Sequence, residues 1–197
     1  MHHVPVTGSF DDVCDQLEEL ESTLPPDACL AAVEDLVAGL PPGAPGRAEA
    51  LFFAGEKALM SGDPATARTW LERSAAEPGE VTIDPRAELL GCLLALGLED
   101  EVDSLLEDLR KASAQGDVRG NFHEVVGEVL EQAERYDEAE RWFNIGLLAL
   151  DEHDPTESEE SCLAGRLRVR RLQDKPQDRL DLVAEQYRDH YRDHFAS

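Results

Sequence analysis

Apolar residues recur along this chain at intervals of three and four, and the recurrences are interrupted by short polar stretches rich in proline and glycine. That spacing lines apolar side chains along one face of a helix, whereas a half-buried strand alternates. The pattern predicts ten helical segments, near residues 9–23, 27–39, 46–61, 64–77, 84–97, 99–114, 120–134, 137–152, 156–173 and 177–195, and no strand. Helix breakers separate them: Pro25-Pro26, Pro41-Pro42-Gly43, Gly62-Asp63-Pro64, Pro78-Gly79, Asp84-Pro85, Gly116-Asp117, Asp154-Pro155 and Pro176. Connections this short make consecutive helices antiparallel neighbours.

The pattern also repeats. Gly55, Gly91 and Gly127 are spaced 36 residues apart, each in the first helix of a hairpin, and Gly165 follows 38 later. A glycine inside a helix costs about 1 kcal/mol relative to alanine, so its recurrence calls for a packing reason. The second helices answer with pairs four residues apart: Ala67 and Leu71, Val102 and Leu106, Ala139 and Phe143. We expect Gly127 to face Ala139 at the tightest point of its hairpin, with Leu130 and Phe143 filling the wider parts. One hairpin cannot cover its own apolar face, so the next must stack on it.

These positions resemble the tetratricopeptide repeat. The match runs through Val126-Gly127, Leu130, Ala139 and Phe143, with Gly146 in place of the motif's last alanine. Leu51, Ala54-Gly55, Ala58, Ala67 and Leu71 give a second match, and Leu90-Gly91, Leu94, Val102 and Leu106 a third with a turn one residue shorter. Ala164-Gly165 opens a fourth unit that degenerates after Arg168. The resemblance is best over residues 46–173 and implies an all-α fold, a right-handed α-solenoid of about five antiparallel helix hairpins. It further implies a flexible segment 1–8, a single domain over 9–197 and a capping helix at 177–195, whose apolar stripe is Leu180, Ala184, Tyr187, Tyr191 and Phe195. Trp70 and Trp142, at the same place in their repeats, are expected to pack between neighbouring hairpins. Scarce lysine with abundant arginine and alanine suits a bacterium of high GC content.

Charge narrows the choice of partner. With 43 acidic against 18 basic residues the 197-residue chain carries a formal charge of -25, which argues against direct contact with nucleic acid or an anionic membrane and favours a cationic partner. No apolar run approaches the roughly 20 residues of a membrane span, and the start MHHVPVTGSFDD lacks the regions of a signal peptide, so a cytoplasmic location is expected. Cys14, Cys29, Cys92 and Cys162 are far apart and read as buried reduced thiols.

Catalytic patterns are missing. There is no phosphate loop, dinucleotide fingerprint or nucleophile elbow, and His123-Glu124 is followed by Gly127 where a zinc protease needs a second histidine. His190 and His194 share a helical face with no third ligand, so neither a metal nor a cofactor is expected. The acidic stretch DEHDPTESEE at 151–160 reads as a solvated connector.

The resemblance implies that the first helices line a concave groove, at positions three before, one after and four after each motif glycine. Those positions are Phe52, Glu56 and Leu59, then Glu88, Cys92 and Ala95, then Glu124, Glu128 and Glu131, and finally Arg166 and Val169, where Arg168, Arg170 and Arg171 also reverse the sign of the charge. The candidate partner-binding set is therefore Phe52, Glu56, Glu88, Glu124, Glu128, Glu131 and Arg166. The expected function is a non-enzymatic scaffold, monomeric or weakly dimeric, that binds a basic peptide or protein surface. The alternatives are an acidic decoy that occupies a nucleic-acid-binding protein, and a helical enzyme or regulatory subunit with an unrecognised site.

Overall fold

A computed structural model describes residues 8–119, 121–148, 150 and 156–195, with the backbone alone at 26, 27 and 188–195. The expected flexible segment 1–8 lies, apart from Gly8, outside the described residues, as do 151–155 of the acidic stretch and the side chains of His190 and His194. The described chain is all-α, with ten helices that follow the ten expected segments closely.

The helix ends explain the agreement. Ser9 and Asp12 form a reciprocal capping box at the start of α1 (Phe10–Thr23), and Thr156 and Glu159 form another at α9 (Glu157–Leu172). Asp63 and Asp84 each accept an amide at the start of α4 (Pro64–Ala76) and α5 (Pro85–Ala95), where the following proline fits the first helical position. At the other end, α3 (Arg47–Met60), α5, α6 (Glu99–Gln115), α7 (Phe122–Gln132) and α9 close alike. A residue at positive φ, namely Gly62, Gly97, Gly116, Glu134 and Asp174 in turn, donates its amide three residues back, and the next amide donates five residues back. These two bonds form the Schellman cap, which satisfies the orphan carbonyls of a helix end. The carbonyls of Val37 and Leu40, which follow α2 (Pro26–Gly39) to its end, are instead met by the Arg47 guanidinium.

The chain divides into two compact units, Met1–Gly120 and Asn121–Ser197. In the first, α1 to α6 pack on their neighbours in sequence, and α1 also touches α3, and α3 touches α5. Its apolar core has two clusters, one of Val13, Leu17, Val33, Leu36, Leu51 and Ala54, the other of Phe52, Ala58, Ala67, Leu71 and Cys92, and half-buried Trp70 packs against both. In the second unit α7 packs on α8 (Tyr136–Gly146), α8 on α9 and α9 on α10 (Arg179–Phe195), and α7 meets α9 along a longer seam than α3 makes with α5.

The glycines face partners other than those expected. A methyl group on Gly127 would lie under 3.0 Å from the ring of Phe143, and one on Gly165 would meet the same ring. Phe143, fully buried, is thus wedged between α7 and α9 through the gaps the two glycines leave. Gly55 likewise accommodates Leu71, with the Ala67 carbonyl farther off at 3.5 Å. Residues four apart share one helix face, and the larger of the two reaches the facing backbone first. Alanine at 67 and 139 is buried as well, but the close approach is set by the bulkier residue one turn on.

Candidate functional site

The first helices carry most of the candidate residues, and their environments differ between the units. In the first unit, Glu56 follows Gly55 on α3 and is half-buried. Burial, and then the neighbouring Glu88 carboxylate on α5, push its acid up to about 7. The nearby cation is committed elsewhere: the Lys57 ammonium pairs with Glu21 of α1 and lies 4.5 Å from the centre of the Phe53 ring. Glu49, only 8% exposed, accepts the Thr82 amide at 2.8 Å and its hydroxyl at 2.7 Å. The Cys92 thiol, one turn beyond Glu88, is raised to about 11 by burial and by that carboxylate. Phe52 is 2% exposed within the second core cluster, so it holds the hairpin together and is closed to a partner.

In the second unit the same positions meet a cation. Arg168 of α9 donates to both oxygens of Glu131, at 3.0 and 2.8 Å, and stands 3.7 Å from Glu128. Glu128, the counterpart of Glu56, is raised by burial and by Glu124, and Arg168 opposes the shift. Arg168 stands three residues after Gly165; three residues after Gly91 the chain has Leu94. Glu124 is half-buried, and its Oε2 has no hydrogen-bond partner among the described residues. Burial, followed by Glu124, Glu128 and Glu159, raises the adjacent Cys162 thiol to about 12, which leaves it an unreactive core group.

Arg166 points inward, contrary to its expected place on a binding face. Only 5% exposed, it donates to Asn144 of α8 at 2.7 Å and pairs with Asp178 and Asp181, both at 2.5 Å. Arg170 reaches Glu140 at 2.7 Å and Asp181 at 3.0 Å, and Arg171 pairs with Glu185. Arg166, Arg170 and Arg171 of α9 thus help to seat α10, while Arg168 faces α7, and Asp178 in turn caps α10 by accepting the amides of Leu180 and Asp181. A 270 Å³ cleft beside this seat, lined by Leu167, Arg170, Arg171, Lys175, Asp181 and Glu185, has its cations matched by carboxylates. It offers no unmatched charge to a ligand.

Two polar residues and one aromatic carry structural roles that periodicity does not reveal. Asp84, fully buried, binds Arg86 through both oxygens and accepts the Arg119 amide at 3.2 Å, which ties the segment after α6 to the start of α5. An aspartate before proline signals a helix cap, and that was the one available hint. Glu159, at the end of the acidic stretch, is drawn into α9 as half of its capping box. Trp142 is 3% exposed, and its ring packs edge-on against Phe122 at 5.7 Å, on the first helix of its own hairpin.

The four thiols are free, and three of them are buried. Among the described residues no group of three or more His, Cys, Asp or Glu side chains could hold a metal ion, and no helix is long and apolar enough to cross a membrane. Set against family models, characterised proteins and solved structures, the chain matches none.

Proposed function

We propose that this chain is a non-enzymatic adaptor built of tetratricopeptide-like hairpins, stacked as a right-handed solenoid, and that it binds a basic peptide or protein surface along its first helices. The contacts of α1 with α3, α3 with α5 and α7 with α9 support stacking of that kind, as do the shared Schellman ends. The observation that carries the binding reading is the half-buried Glu56 beside Glu88, with Lys57 already held by Glu21. A lysine or arginine from a partner would meet the Glu56 carboxylate where partial burial weakens screening. The second unit carries acids of its own at the matching positions, Glu124, Glu128 and Glu131, although Arg168 already offsets the last two.

The test is the affinity of an arginine-rich peptide. Glu56→Lys with Glu88→Lys should weaken it by about tenfold or more, equivalent to about 1.4 kcal/mol. The control, Glu34→Lys with Asp35→Lys on exposed positions of α2, makes the same change in net charge and should do far less. Equal losses would mean that net charge alone recruits the peptide, which favours the acidic decoy.

A further inference from the structure

The chain passes from the first unit to the second through a stretch that no core residue anchors. Between Ala112, near the end of α6, and Phe122, at the start of α7, no described residue is buried. Residues 117–119 are fastened instead by polar bonds to the region around the start of α5. The Arg86 guanidinium donates to the Asp117 carbonyl at 2.7 Å, Asp84 accepts the Arg119 amide at 3.2 Å, and the Arg119 guanidinium donates to the Gly79 carbonyl at 3.1 Å. We propose that 117–119 is a releasable strap, fastened to the first unit through Asp84, whose opening lengthens the tether to the second unit without unfolding α5 or α6.

The fastener and the strap differ in how firmly each is built. Asp84 is fully buried and holds Arg86 by its amide at 3.1 Å and by its guanidinium at 2.9 and 2.7 Å. That grip aims the Arg86 Nη2 at Asp117, so one carboxylate controls two of the three ties. Behind it Pro85, Ala87 and Leu90 are buried in α5, which fixes its position. The strap has no such backing: Asp117 is exposed, and Val118 and Arg119 are half-buried. A segment held by a few polar bonds, with little apolar surface to lose, opens locally before its neighbours do. Opening trades those bonds for bonds to water and withdraws no fully buried side chain from the core. Three residues freed at about 3.3–3.6 Å each add up to about 10 Å to the reach of the tether.

The strap opens without a partner, so native-state amide exchange on the unliganded chain in rising urea, read by NMR, tests it. The Arg119 amide should exchange about tenfold or more slower than in an unstructured peptide, through an opening that urea barely changes. The amides of the fully buried Leu90 in α5 and Leu109 in α6 should instead open with a steep dependence on urea, the mark of unfolding that exposes much surface. In Asp84→Asn the Arg119 amide should exchange as in an unstructured peptide while Leu90 and Leu109 stay protected. An Arg119 amide that is unprotected in the wild-type chain, that opens with the same urea dependence as Leu90 and Leu109, or that Asp84→Asn leaves at its wild-type rate would overturn the proposal. Should Asp84→Asn fail to fold, the wild-type urea series still decides. Arg119→Ala, which cuts only the tie to Gly79, should speed exchange at 119 by a smaller factor once intrinsic rates are corrected for, and no change there would also overturn it.

Discussion

One residue after the repeat glycine, both units place a half-buried glutamate, Glu56 in the first and Glu128 in the second. The second is answered from the next first helix by Arg168, whereas the first is answered by another acid, Glu88. One position in one repeated frame thus serves two purposes. In the second unit it knits α7 to α9 and spends its charge internally. In the first it sits partly out of water near a second acid, and burial with that neighbour raises it to about 7. The difference teaches that an excess of carboxylates says little about the surroundings of any one of them, and that the arrangement of the few cations decides those surroundings.

The largest expected effect probes the internal pairing of the second unit. Arg166→Met leaves Asp181, 2% exposed, with Arg170 as its remaining guanidinium partner, and breaking a buried pair from one side costs up to about 3–5 kcal/mol. Thermal denaturation of the variant should show it, with α10 losing protection against exchange first. Should the midpoint stay put, the seat of α10 would owe little to charge and the contrast between the units would weaken.

Next comes the glycine frame that makes the two positions comparable. Gly127→Leu should cost about 1–3 kcal/mol or more, because Phe143 is pinned from the other side by Gly165 and cannot yield. At Gly55 the neighbour is Leu71, equally buried but aliphatic and without a rigid ring, so Gly55→Ala should be tolerated better than Gly127→Ala in urea denaturation. Combining Gly127→Ala with Phe143→Leu should recover part of the loss. If it does not, the wedge is misassigned.

Smallest is the effect at the hairpin turns. At these turns the left-handed cap residue is Gly62 or Gly97 in the first unit but Glu134, at φ 59, and Asp174, at φ 51, in the second. A side chain there costs about 1 kcal/mol, so Glu134→Gly should raise the thermal midpoint by the few degrees that such a gain gives. No gain would show that Glu134 earns its place through its contacts.

How far these features could be read from the chain depended on their range. Helix ends are local: Asp63-Pro64, Asp84-Pro85 and Gly116-Asp117 each announce a boundary within a few residues, and the ten segments follow. The glycine repeat was equally legible, yet its facing residue was not, because whether Ala139 or Phe143 meets Gly127 depends on the rotation of two helices about their axes. Rotation also hid Phe52 and Arg166: a register borrowed from a family places them on an open face, and the packing of this chain turns both inward. Glu88 and Arg168 were each visible as single charges. That one confronts Glu56 while the other spans Glu128 and Glu131 follows only from which helices adjoin.

The central claim is that equivalent glutamates in the two units live in opposite electrostatic surroundings, and carboxyl-detected NMR titration of the unliganded protein tests it most directly. Glu56 should titrate near 7 and Glu128 at distinctly lower pH, with the gap closing in Arg168→Ala as Glu128 moves up. If Glu56 and Glu128 titrate together in the wild-type protein, or if Arg168→Ala leaves Glu128 where it was, the contrast between the units does not exist and the account fails.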